Sequence, residues 1–376
     1  MPLSRVKAAQ YEELLRQKVA SVSSLLAPFA APAAQVFSSQ PGGFRLRAEF
    51  RVWHEGNDLN YVMFRPGDPK TPHAIHDFPI ADNRIQQLMP VLREKLKSQD
   101  ALRRKLFQVE FLVTLAGDAL VSLIYHRKLE QAWEAAATTL AQDLDISIVG
   151  RSRKQKLVIG RDYVQEVLSV NSNDYRYRQY EQAFTQPNGK LNIHMIEWAC
   201  DRARELDGDL LELYCGNGNF TLPLSRQFGH VIATELSKAS IRAARENLLQ
   251  NSIDNVQMIR LSAEEVTQAI NGVREFRRLA DLPKPLGQYD LRTIFVDPPR
   301  AGLDDHTVQM AATFESIIYV SCNPQTLAQN LQTLCKTHRI EHFALFDQFP
   351  YTDHMECGVF LQRKPTVKSA ADTKGQ

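Results

Sequence analysis

The sequence has few cysteines, no long apolar run and almost no net charge. Its 376 residues include five cysteines, none of them before Cys200 and no two spaced C-x-x-C. This irregular set argues against a disulfide framework or a zinc site and predicts reduced thiols in a cytoplasmic protein. No apolar stretch is long enough to span a bilayer, and the first fifteen residues lack a signal-peptide core, so we expect no membrane association. The formal net charge of +2 indicates no partner by itself, so any basic surface must be local.

The first half of the chain has the pattern of an antiparallel sheet accompanied by helices. Residues 11–29 carry apolar side chains at helical spacing, which predicts an amphipathic helix near the start. The stretch "FRLRAEFRV" then alternates between an apolar face and a face that carries Arg45, Arg47 and Arg51. Turn residues in "EGND" and "AGD", and a basic turn in "GRSRKQKL", predict hairpins. We therefore assign residues 1–180 to an α+β domain with an antiparallel sheet.

After residue 180, short apolar strands alternate with amphipathic helices. The segments "DLLELYCG", "HVIATE", "NVQMIR", "RTIFVDPP" and "SIIYVSCN" are strand-like, and "SKASIRAARENLLQN" is helix-like. This order predicts right-handed βαβ units and a mostly parallel, doubly wound sheet. We assign residues 181–364 to an α/β domain of Rossmann-like type. Residues 266–287 are long for a connection and predict an inserted helix, while the polar residues 365–376 predict a disordered tail.

A glycine turn follows the first of these strands, at the place where such sheets bind nucleotide-like ligands. Gly216 and Gly218 are followed by Thr221, where a dinucleotide fingerprint needs a third glycine. Two glycines alone also suit a plain tight turn. Glu235 ends the next strand, where a carboxylate can accept hydrogen bonds from two ribose hydroxyls. With Asp297 at the same edge, this set favours S-adenosylmethionine, which has a ribose and a cationic sulfonium but no pyrophosphate, over NAD.

A second motif, "VSCNP", ends a buried strand on a thiol. A cysteine in a strand is more often a small buried apolar residue than a nucleophile, and Glu356, taken alone, suits a solvated loop. In a doubly wound sheet, however, the carboxyl ends of neighbouring strands lie side by side, so Asp297 and Cys322 share an edge near the cofactor. Glu356, after "FDQFPYTDHM", is placed to return to the same crevice.

Methylation of a pyrimidine at carbon explains why a thiol and an acid are needed together. C5 of uracil is too weak a nucleophile to take a methyl group from a sulfonium, and attack of a thiolate on C6 places electron density on C5. A base must then remove the C5 hydrogen so that the thiolate can leave. An ordinary thiol, with a pKa near ~8.5, is only a few per cent ionised at neutral pH, and we expect Arg300 to offset this deficit.

Five stretches of the chain resemble the tRNA (uracil-5-)-methyltransferases, which make ribothymidine in the T-loop of tRNA: "FTQPN", "LLELYCGNGNF", "IFVDPPRAGLD", "YVSCNP" and "FDQFPYTDHMECGV". The resemblance runs over nearly the whole chain and is strongest from Phe184 onward. It implies that Cys322 is the nucleophile and Glu356 the proton acceptor. It implies that S-adenosylmethionine is contacted by residues of these motifs, namely Gln186, Tyr214, Asn219, Glu235 and Asp297, to which we add Gly216 of the glycine turn.

The resemblance also bears on partners. Related ribosomal-RNA enzymes usually carry an N-terminal barrel and a cysteine cluster for an iron–sulfur centre, and the lack of any cysteine before Cys200 counts against that branch. We therefore expect tRNA as partner, no metal or iron–sulfur cluster, and a monomer when free. Flipping a loop uridine requires phosphate contacts and stacking surfaces, so we assign RNA binding in the first domain to Arg45, Arg47, Arg51 and Phe107. A solvated sheet face and a core aromatic remain the plain alternatives.

Three other functions stay open on the residues alone. The first is an enzyme that makes 5-methyluridine in ribosomal RNA. The second is an amino-nitrogen methyltransferase, which also can use a "DPP" turn but needs no thiol. The third is an RNA-folding or RNA-binding protein whose chemistry is incidental, in which case its function survives the loss of both Cys322 and Glu356.

Overall fold

The computed structural model describes residues 6, 8–65 and 67–365. The elements of the first half are α1 (Tyr11–Leu26), β1 (Gln35–Phe37), β2 (Arg47–Glu55), β3 (Asp58–Arg65), β4 (Asp68–Ala74), α2 (Asn83–Ser98), α3 (Asp100–Arg103), β5 (Leu106–Val113), β6 (Ala119–Tyr125), α4 (Gln131–Leu144), β7 (Ser147–Ser152), β8 (Gln155–Ile159), β9 (Tyr163–Val170) and β10 (Asn173–Tyr180). The second half contains α5 (Gly189–Ala203), β11 (Asp209–Leu213), α6 (Thr221–Leu224), β12 (Val231–Thr234), α7 (Lys238–Gln250), β13 (Val256–Ile259), α8 (Ala263–Ile270), β14 (Leu291–Val296), α9 (Asp305–Ala311), β15 (Ser316–Ser321), α10 (Pro324–Thr337), β16 (His338–Phe346) and β17 (Glu356–Arg363).

The first sheet has seven strands in the order β4-β3-β2-β5-β6-β7-β8. Its neighbours are antiparallel except for β6 and β7, which run parallel because α4 crosses between them. The hairpin turns follow the local sequence, since Gly56 after β2 and Gly117 after β5 both adopt the positive φ that these turns require. The apolar face of the sheet packs against α2 and α4 through residues such as Leu92 and Trp133. The predicted hairpins and antiparallel sheet are confirmed.

The second sheet has eight strands in the order β1-β16-β17-β15-β14-β11-β12-β13. Strands β11 to β15 pair in parallel and are joined by helices, as the alternating pattern predicts. The pattern did not predict β17, which runs antiparallel between β15 and β16. Both faces of this sheet are buried, so its strands are almost wholly apolar. The two-stranded hairpin β9-β10 lies between the sheets in sequence and contacts α5 and α7.

The start of the chain packs with the second sheet although the sequence assigned it to the first domain. Strand β1 pairs in parallel with β16, with Val36 opposite Leu345. Helix α1 lies against α10 and buries Tyr11, Leu15 and Leu26 in the core of the second sheet. The physical reason is that the apolar stripe of α1 needs a partner surface, and the edge strand β16 leaves backbone groups for β1 to pair with.

Two further predictions concern residues 266–287 and the C-terminal tail. The helix predicted within residues 266–287 is wrong beyond Ile270, where α8 ends; only short 3₁₀ turns follow, at Arg277–Leu279 and Leu286–Gln288. Pro283, Pro285 and two glycines in this stretch oppose a longer helix. The predicted tail at 365–376 falls outside the described residues except for its first residue. Among the described residues, no helix has both the length and the apolar character needed to cross a membrane.

Candidate active site

The predicted site residues meet at one edge of the second sheet. Tyr214, Glu235, Asp297 and Cys322 each directly follow a parallel strand, namely β11, β12, β14 and β15. The strand register aligns these ends, because Leu213 pairs with both Thr234 and Val296, and Val296 pairs with Tyr319. Residues that are far apart in sequence are therefore brought to one row at the carboxyl edge, where open α/β sheets bind ligands.

Cys322 and Glu356 are brought together by the antiparallel pairing of β15 and β17. The last pair of this ladder joins Ser321 to Cys357. Cys322 follows Ser321 and Glu356 precedes Cys357, so the two candidate catalytic residues occupy the next register position. Glu356 is the first residue of β17 and is buried, rather than lying in a loop as its sequence context suggested. Cys322 is half-buried and carries no disulfide.

Both residues face a cavity of about 490 Å³ at this edge. All eight residues assigned to catalysis or cofactor binding line this cavity: Gln186, Tyr214, Gly216, Asn219, Glu235, Asp297, Cys322 and Glu356. A cavity of this kind, with an apolar wall and a few converging polar groups, is the usual form of a small-molecule site. The six residues assigned to S-adenosylmethionine and the two assigned to chemistry thus line one cavity.

The glycine turn shapes one wall of the cavity. Tyr214 adopts φ of 61°, an unusual value for a residue other than glycine, and this turns the chain sharply at the end of β11. Gly216 has φ of 56°, and a Cβ atom added to it meets no protein atom within 4 Å, which leaves the space beside it free for a ligand. Gly218 has φ of 88°, and a Cβ atom there would come within 2.7 Å of Leu222 Cδ1. The positive φ of both positions favours glycine, and at Gly218 the contact with Leu222 adds to that preference.

Hydrogen bonds hold the polar cavity residues in place. The Glu235 carboxylate accepts from Gly216 N at 3.2 Å and from Ser237 N at 2.7 Å, which ties it to the glycine turn. Asn219 exchanges two side-chain hydrogen bonds with Asn192, at 2.8 and 2.9 Å. Gln186 Oε1 accepts from Gln348 Nε2 at 2.9 Å. These contacts are those of a preorganised ligand site, and its acidic groups suit a ligand that has ribose hydroxyls and a positive charge.

Two acidic groups of the cavity, Asp297 and Glu356, have raised pKa values. Burial raises the pKa of Asp297 to about 7. Burial, together with the nearby Asp297, raises the pKa of Glu356 to about 8. A carboxyl group with such a pKa is suited to exchange a proton near neutral pH, and such shifts are typical of active sites.

The pKa of the Cys322 thiol is higher than the sequence analysis led us to expect. Arg300 lowers the pKa of Cys322, but burial and the neighbouring carboxylates of Glu356 and Asp297 outweigh it and raise that pKa to about 11. The decrease in the Cys322 pKa that we expected from Arg300 is therefore smaller than the increase caused by burial. Arg300 Nη2 donates to His354 Nδ1 at 3.1 Å, so the guanidinium also contacts the segment that leads into Glu356.

The four residues assigned to RNA binding do not form one surface. Arg51 is exposed, and its guanidinium lies 3.9 Å from the centroid of the half-buried Phe107 ring, which also stacks on His126 with centroids 4.1 Å apart. Arg47 instead donates to Glu181 O at 2.5 Å and to Ala183 O at 2.9 Å. Arg45 is half-buried, its Nε donates to Arg47 O, and burial lowers its pKa. Of the three arginines predicted to share an exposed face, only Arg51 is exposed.

One cavity residue and one buried acid escaped the sequence analysis. Phe184 lines the cavity and is 75% exposed. Its position as the first residue of the quoted "FTQPN" stretch was the available signal. Glu212 lies in β11 below the glycine turn, is 1% exposed, and neither of its carboxyl oxygens has a hydrogen-bond partner among the described residues. Burial and then the charge of Asp297 raise the pKa of Glu212 to about 8. An acid inside the apolar strand "DLLEL" was the available signal.

The fold and the cavity define a methyltransferase-type α/β domain, and comparison with known proteins identifies the family. The family model for tRNA (uracil-5-)-methyltransferases matches residues 10–364. A tRNA/tmRNA (uracil-C(5))-methyltransferase from Stutzerimonas stutzeri is 55% identical over 364 residues, which cover 97% of this chain and 100% of that protein. The protein of the same name from Azotobacter vinelandii is 56% identical, also over 97% of this chain and 100% of its own length.

One solved structure supports the same conclusion for the fold. The tRNA (uracil-54, C5)-methyltransferase of Pyrococcus abyssi, in complex with S-adenosyl-L-homocysteine, superposes with a TM-score of 0.70. The match covers 93% of this chain and 83% of that chain at 22% identity. The family match and the 55% identical relative show that the chain is an S-adenosylmethionine-dependent methyltransferase. It belongs to the tRNA (uracil-5-)-methyltransferase family. The predicted family, fold class, enzyme class and cofactor are confirmed.

Proposed function

We propose that this chain methylates C5 of a uridine in the T-loop of tRNA through a covalent bond between Cys322 and C6 of the base. The observation that carries this proposal is the register of β15 and β17, which places a thiol and a buried acid side by side in the cofactor cavity. An amino-nitrogen methyltransferase has no use for this pair. Carbon methylation of a pyrimidine needs both members.

Cys322 acts as the nucleophile. Its thiolate adds to C6, and the resulting enolate carries the electron pair to C5. With its pKa raised to about 11, chiefly by burial, the thiol is mostly protonated at neutral pH. A positive charge beside it favours the thiolate, and Arg300 places such a charge at this cavity, to which a bound sulfonium would add. S-Adenosylmethionine, when bound, supplies the methyl group that C5 takes up.

Glu356 acts as the base that completes the reaction. After methylation, C5 holds both the methyl group and its original hydrogen. The Glu356 carboxylate removes this hydrogen as a proton, the C5–C6 double bond re-forms, and Cys322 leaves as a thiolate. A buried carboxyl group whose pKa is raised to about 8 binds that proton more firmly than an ordinary glutamate does.

The cofactor residues fit their assigned group by their chemistry. Glu235 and the turn at Gly216 offer a carboxylate and an open backbone surface, which suit a ribose. Asp297 adds negative charge near the reacting centre, which suits a sulfonium. Gln186, Tyr214 and Asn219 complete the polar lining.

The surface formed by Arg51, Phe107 and His126 is the part of the first sheet that we assign to RNA. It combines an exposed cation with aromatic faces, which is the chemistry that binds and stacks on single-stranded bases. Arg47 instead donates to the carbonyls of Glu181 and Ala183, and Arg45 donates to the carbonyl of Arg47. The division into an RNA-binding domain, residues 1–180, and a methyltransferase domain, residues 181–364, is part of the proposal, with α1 and β1 docked on the second. We further propose that the free protein is a monomer that acts in the cytoplasm.

Mapping of 5-methyluridine in RNA is the direct test. Cells that lack the protein should lose 5-methyluridine from the T-loop of tRNA, as read by mass spectrometry of isolated tRNA and ribosomal RNA. Wild-type chain should restore it, and Cys322→Ala should not. Loss from ribosomal RNA alone would favour the ribosomal-RNA alternative. Restoration by a Cys322→Ala, Glu356→Gln double variant would favour an RNA-binding protein with incidental chemistry.

A further inference from the structure

A buried lysine on α1 lies outside the residues discussed so far. Lys18 is only 9% exposed, although lysine is among the residues least often buried. It occupies the apolar stripe of α1 between Leu15 and Val22, both of which are buried. An apolar residue would fill this position at lower desolvation cost, so the lysine needs a specific reason.

Lys18 reaches across about 330 residues of sequence to the segment that precedes Glu356. Its Nζ atom contacts the Asp347 carboxylate, which is fully buried, and donates to the backbone carbonyls of Phe349 at 3.2 Å and His354 at 3.0 Å. Residues 347–355 form the loop between β16 and β17. The ammonium group therefore uses its three N–H donors to join the two ends of this loop.

The loop ends where the strand pairing ends. Phe346, the last residue of β16, pairs with Glu356, the first residue of β17. Beyond this pair β16 and β17 no longer pair with each other, although Asp347 N still donates to Phe37 O of β1 at 3.0 Å. The direction from which the chain enters Glu356 therefore depends on contacts of the loop. Lys18 contacts Asp347, the residue after Phe346, and His354, two residues before Glu356. It therefore joins the two ends of the loop directly beside the candidate base.

Other contacts of α1 and its flank hold the same loop. The Tyr11 ring lies against the Tyr351 ring with centroids 5.9 Å apart. The Tyr351 hydroxyl donates to Pro41 O at 2.5 Å, and its backbone adopts φ of 65°. His354 in turn accepts a hydrogen bond from Arg300, a cavity residue. The loop is thus fastened to the N-terminal segment on one side and reaches the active site on the other.

We propose that Lys18 is a positioning residue for Glu356: the N-terminal helix holds the loop that sets the catalytic base. This inference rests on the proposed function, because it assigns Lys18 to the elimination step of that reaction. A buried ion pair is weak evidence for stability alone, since an apolar replacement often stabilises as well. The role assigned to this pair is therefore to fix one geometry of the loop. A displacement of about 1 Å at a catalytic group can slow its step by roughly 100-fold.

The test uses full-length protein and tRNA with tritium at C5 of uridine. Lys18→Met alone leaves the Asp347 carboxylate buried and unpaired, so the main variant is Lys18→Met with Asp347→Asn, which removes both charges. The matched control is Arg16→Met, which removes an exposed cation from the same helix. Single-turnover reactions follow the covalent protein–RNA adduct on denaturing gels and tritium release from C5, and thermal melting reports the fold.

We expect the double variant to form the adduct within about twofold of the wild-type rate but to release tritium roughly 10- to 100-fold more slowly. The control should match wild type in both steps. Lys18→Arg keeps the charge and the donors and should release tritium faster than the double variant. Tritium release at the wild-type rate from a folded double variant, or equal slowing of both steps, would overturn the positioning role. A wild-type protein that forms neither adduct nor product would instead overturn the proposed function.

Discussion

Replacing Glu356 by Gln separates the two halves of the proposed reaction. The side chain is 4% exposed and begins β17, so an amide of the same shape keeps the packing and the strand register. The amide, however, has no carboxylate to accept the C5 proton. Cys322 should still add to C6, because the change also removes a negative charge that raises the pKa of the thiol. The variant should therefore stop at the methylated covalent adduct.

The size of the effect follows from the role of a general base and from the raised pKa. A positioned base contributes roughly 10²- to 10⁴-fold, so resolution of the adduct should slow by about that factor. With the pKa of Glu356 raised to about 8, roughly a tenth of the wild-type protein holds the carboxylate at pH 7 and about half at pH 8. Wild-type resolution should thus rise about fivefold over that interval and level off above pH ~9. The Gln variant should lack this rise.

Denaturing gels with methyl-labelled cofactor provide the assay. The Glu356→Gln protein should accumulate a labelled protein–RNA band, which disappears when Cys322 is also changed to Ala. Cys357→Ala is the matched thiol control, because Cys357 is buried next to Glu356 but has no assigned role, and it should leave the band unchanged. Unmodified tRNA that contains 5-fluorouridine should trap wild-type protein, since fluorine cannot leave as a proton.

Two results would refute this reasoning. Normal turnover by Glu356→Gln would show that another group removes the proton. An adduct that maps to Cys335 or Cys357 would show that the thiol of "VSCNP" is not the nucleophile. Either result would leave the cofactor assignment intact, because that assignment depends on the glycine turn and Glu235 rather than on the β15–β17 pair.

The row of site residues at the sheet edge was predictable because it follows from topology. Once alternating strands and helices indicate a parallel sheet, every strand end lies at the same edge, and the residues after β11, β12, β14 and β15 must share it. The ends of these short strands are also visible in the sequence, because a glycine, "DPP" or "SCNP" interrupts the apolar run. Placement of Tyr214, Glu235, Asp297 and Cys322 needs no more than this.

The placement of Glu356 was only partly predictable. Its sequence context indicated a turn, whereas the structure pairs it with Phe346 at the start of an antiparallel strand. Antiparallel insertion into a parallel sheet depends on long-range pairing, which local periodicity does not encode. The docking of α1 on α10 is a further case, because the stripe that contains Lys18 predicts a helix but not its partner.

The exposure of the arginines in the first sheet was also only partly predictable, because it too depends on long-range contacts. In an alternating strand, Arg45, Arg47 and Arg51 read as one solvated face. The segment after β10 returns over that face, and its carbonyl groups accept from Arg47. A hydrogen bond between residues about 135 positions apart leaves no local signal. Basic residues in a strand therefore predict a polar face, but contacts with the rest of the fold decide which of them can meet RNA.

Three further predictions concern the cofactor, RNA and stability. Glu235→Gln should weaken S-adenosylmethionine binding by about tenfold or more in calorimetry with the fold unchanged, since charge-assisted hydrogen bonds contribute about 1.5–3 kcal/mol each; unchanged affinity would contradict the ribose assignment. Arg51→Ala with Phe107→Ala should weaken tRNA binding and flatten its salt dependence while cofactor affinity stays constant, and an unaltered salt slope would mean a merely solvated face. Glu212→Gln should change how stability depends on pH. Burial raises the folded-state pKa of Glu212 to about 8, whereas the unfolded chain titrates near ~4.3, so the folded state binds this proton more tightly. The wild-type protein must therefore lose stability as pH rises from about 4.3 to about 8, and the Gln variant is spared that loss. Its melting temperature should gain on wild type steadily across this window and by a constant amount above it, because the other raised carboxyl groups are the same in both proteins. If the melting temperatures of the two proteins differed by the same amount at every pH, the pKa of Glu212 would not be raised by folding.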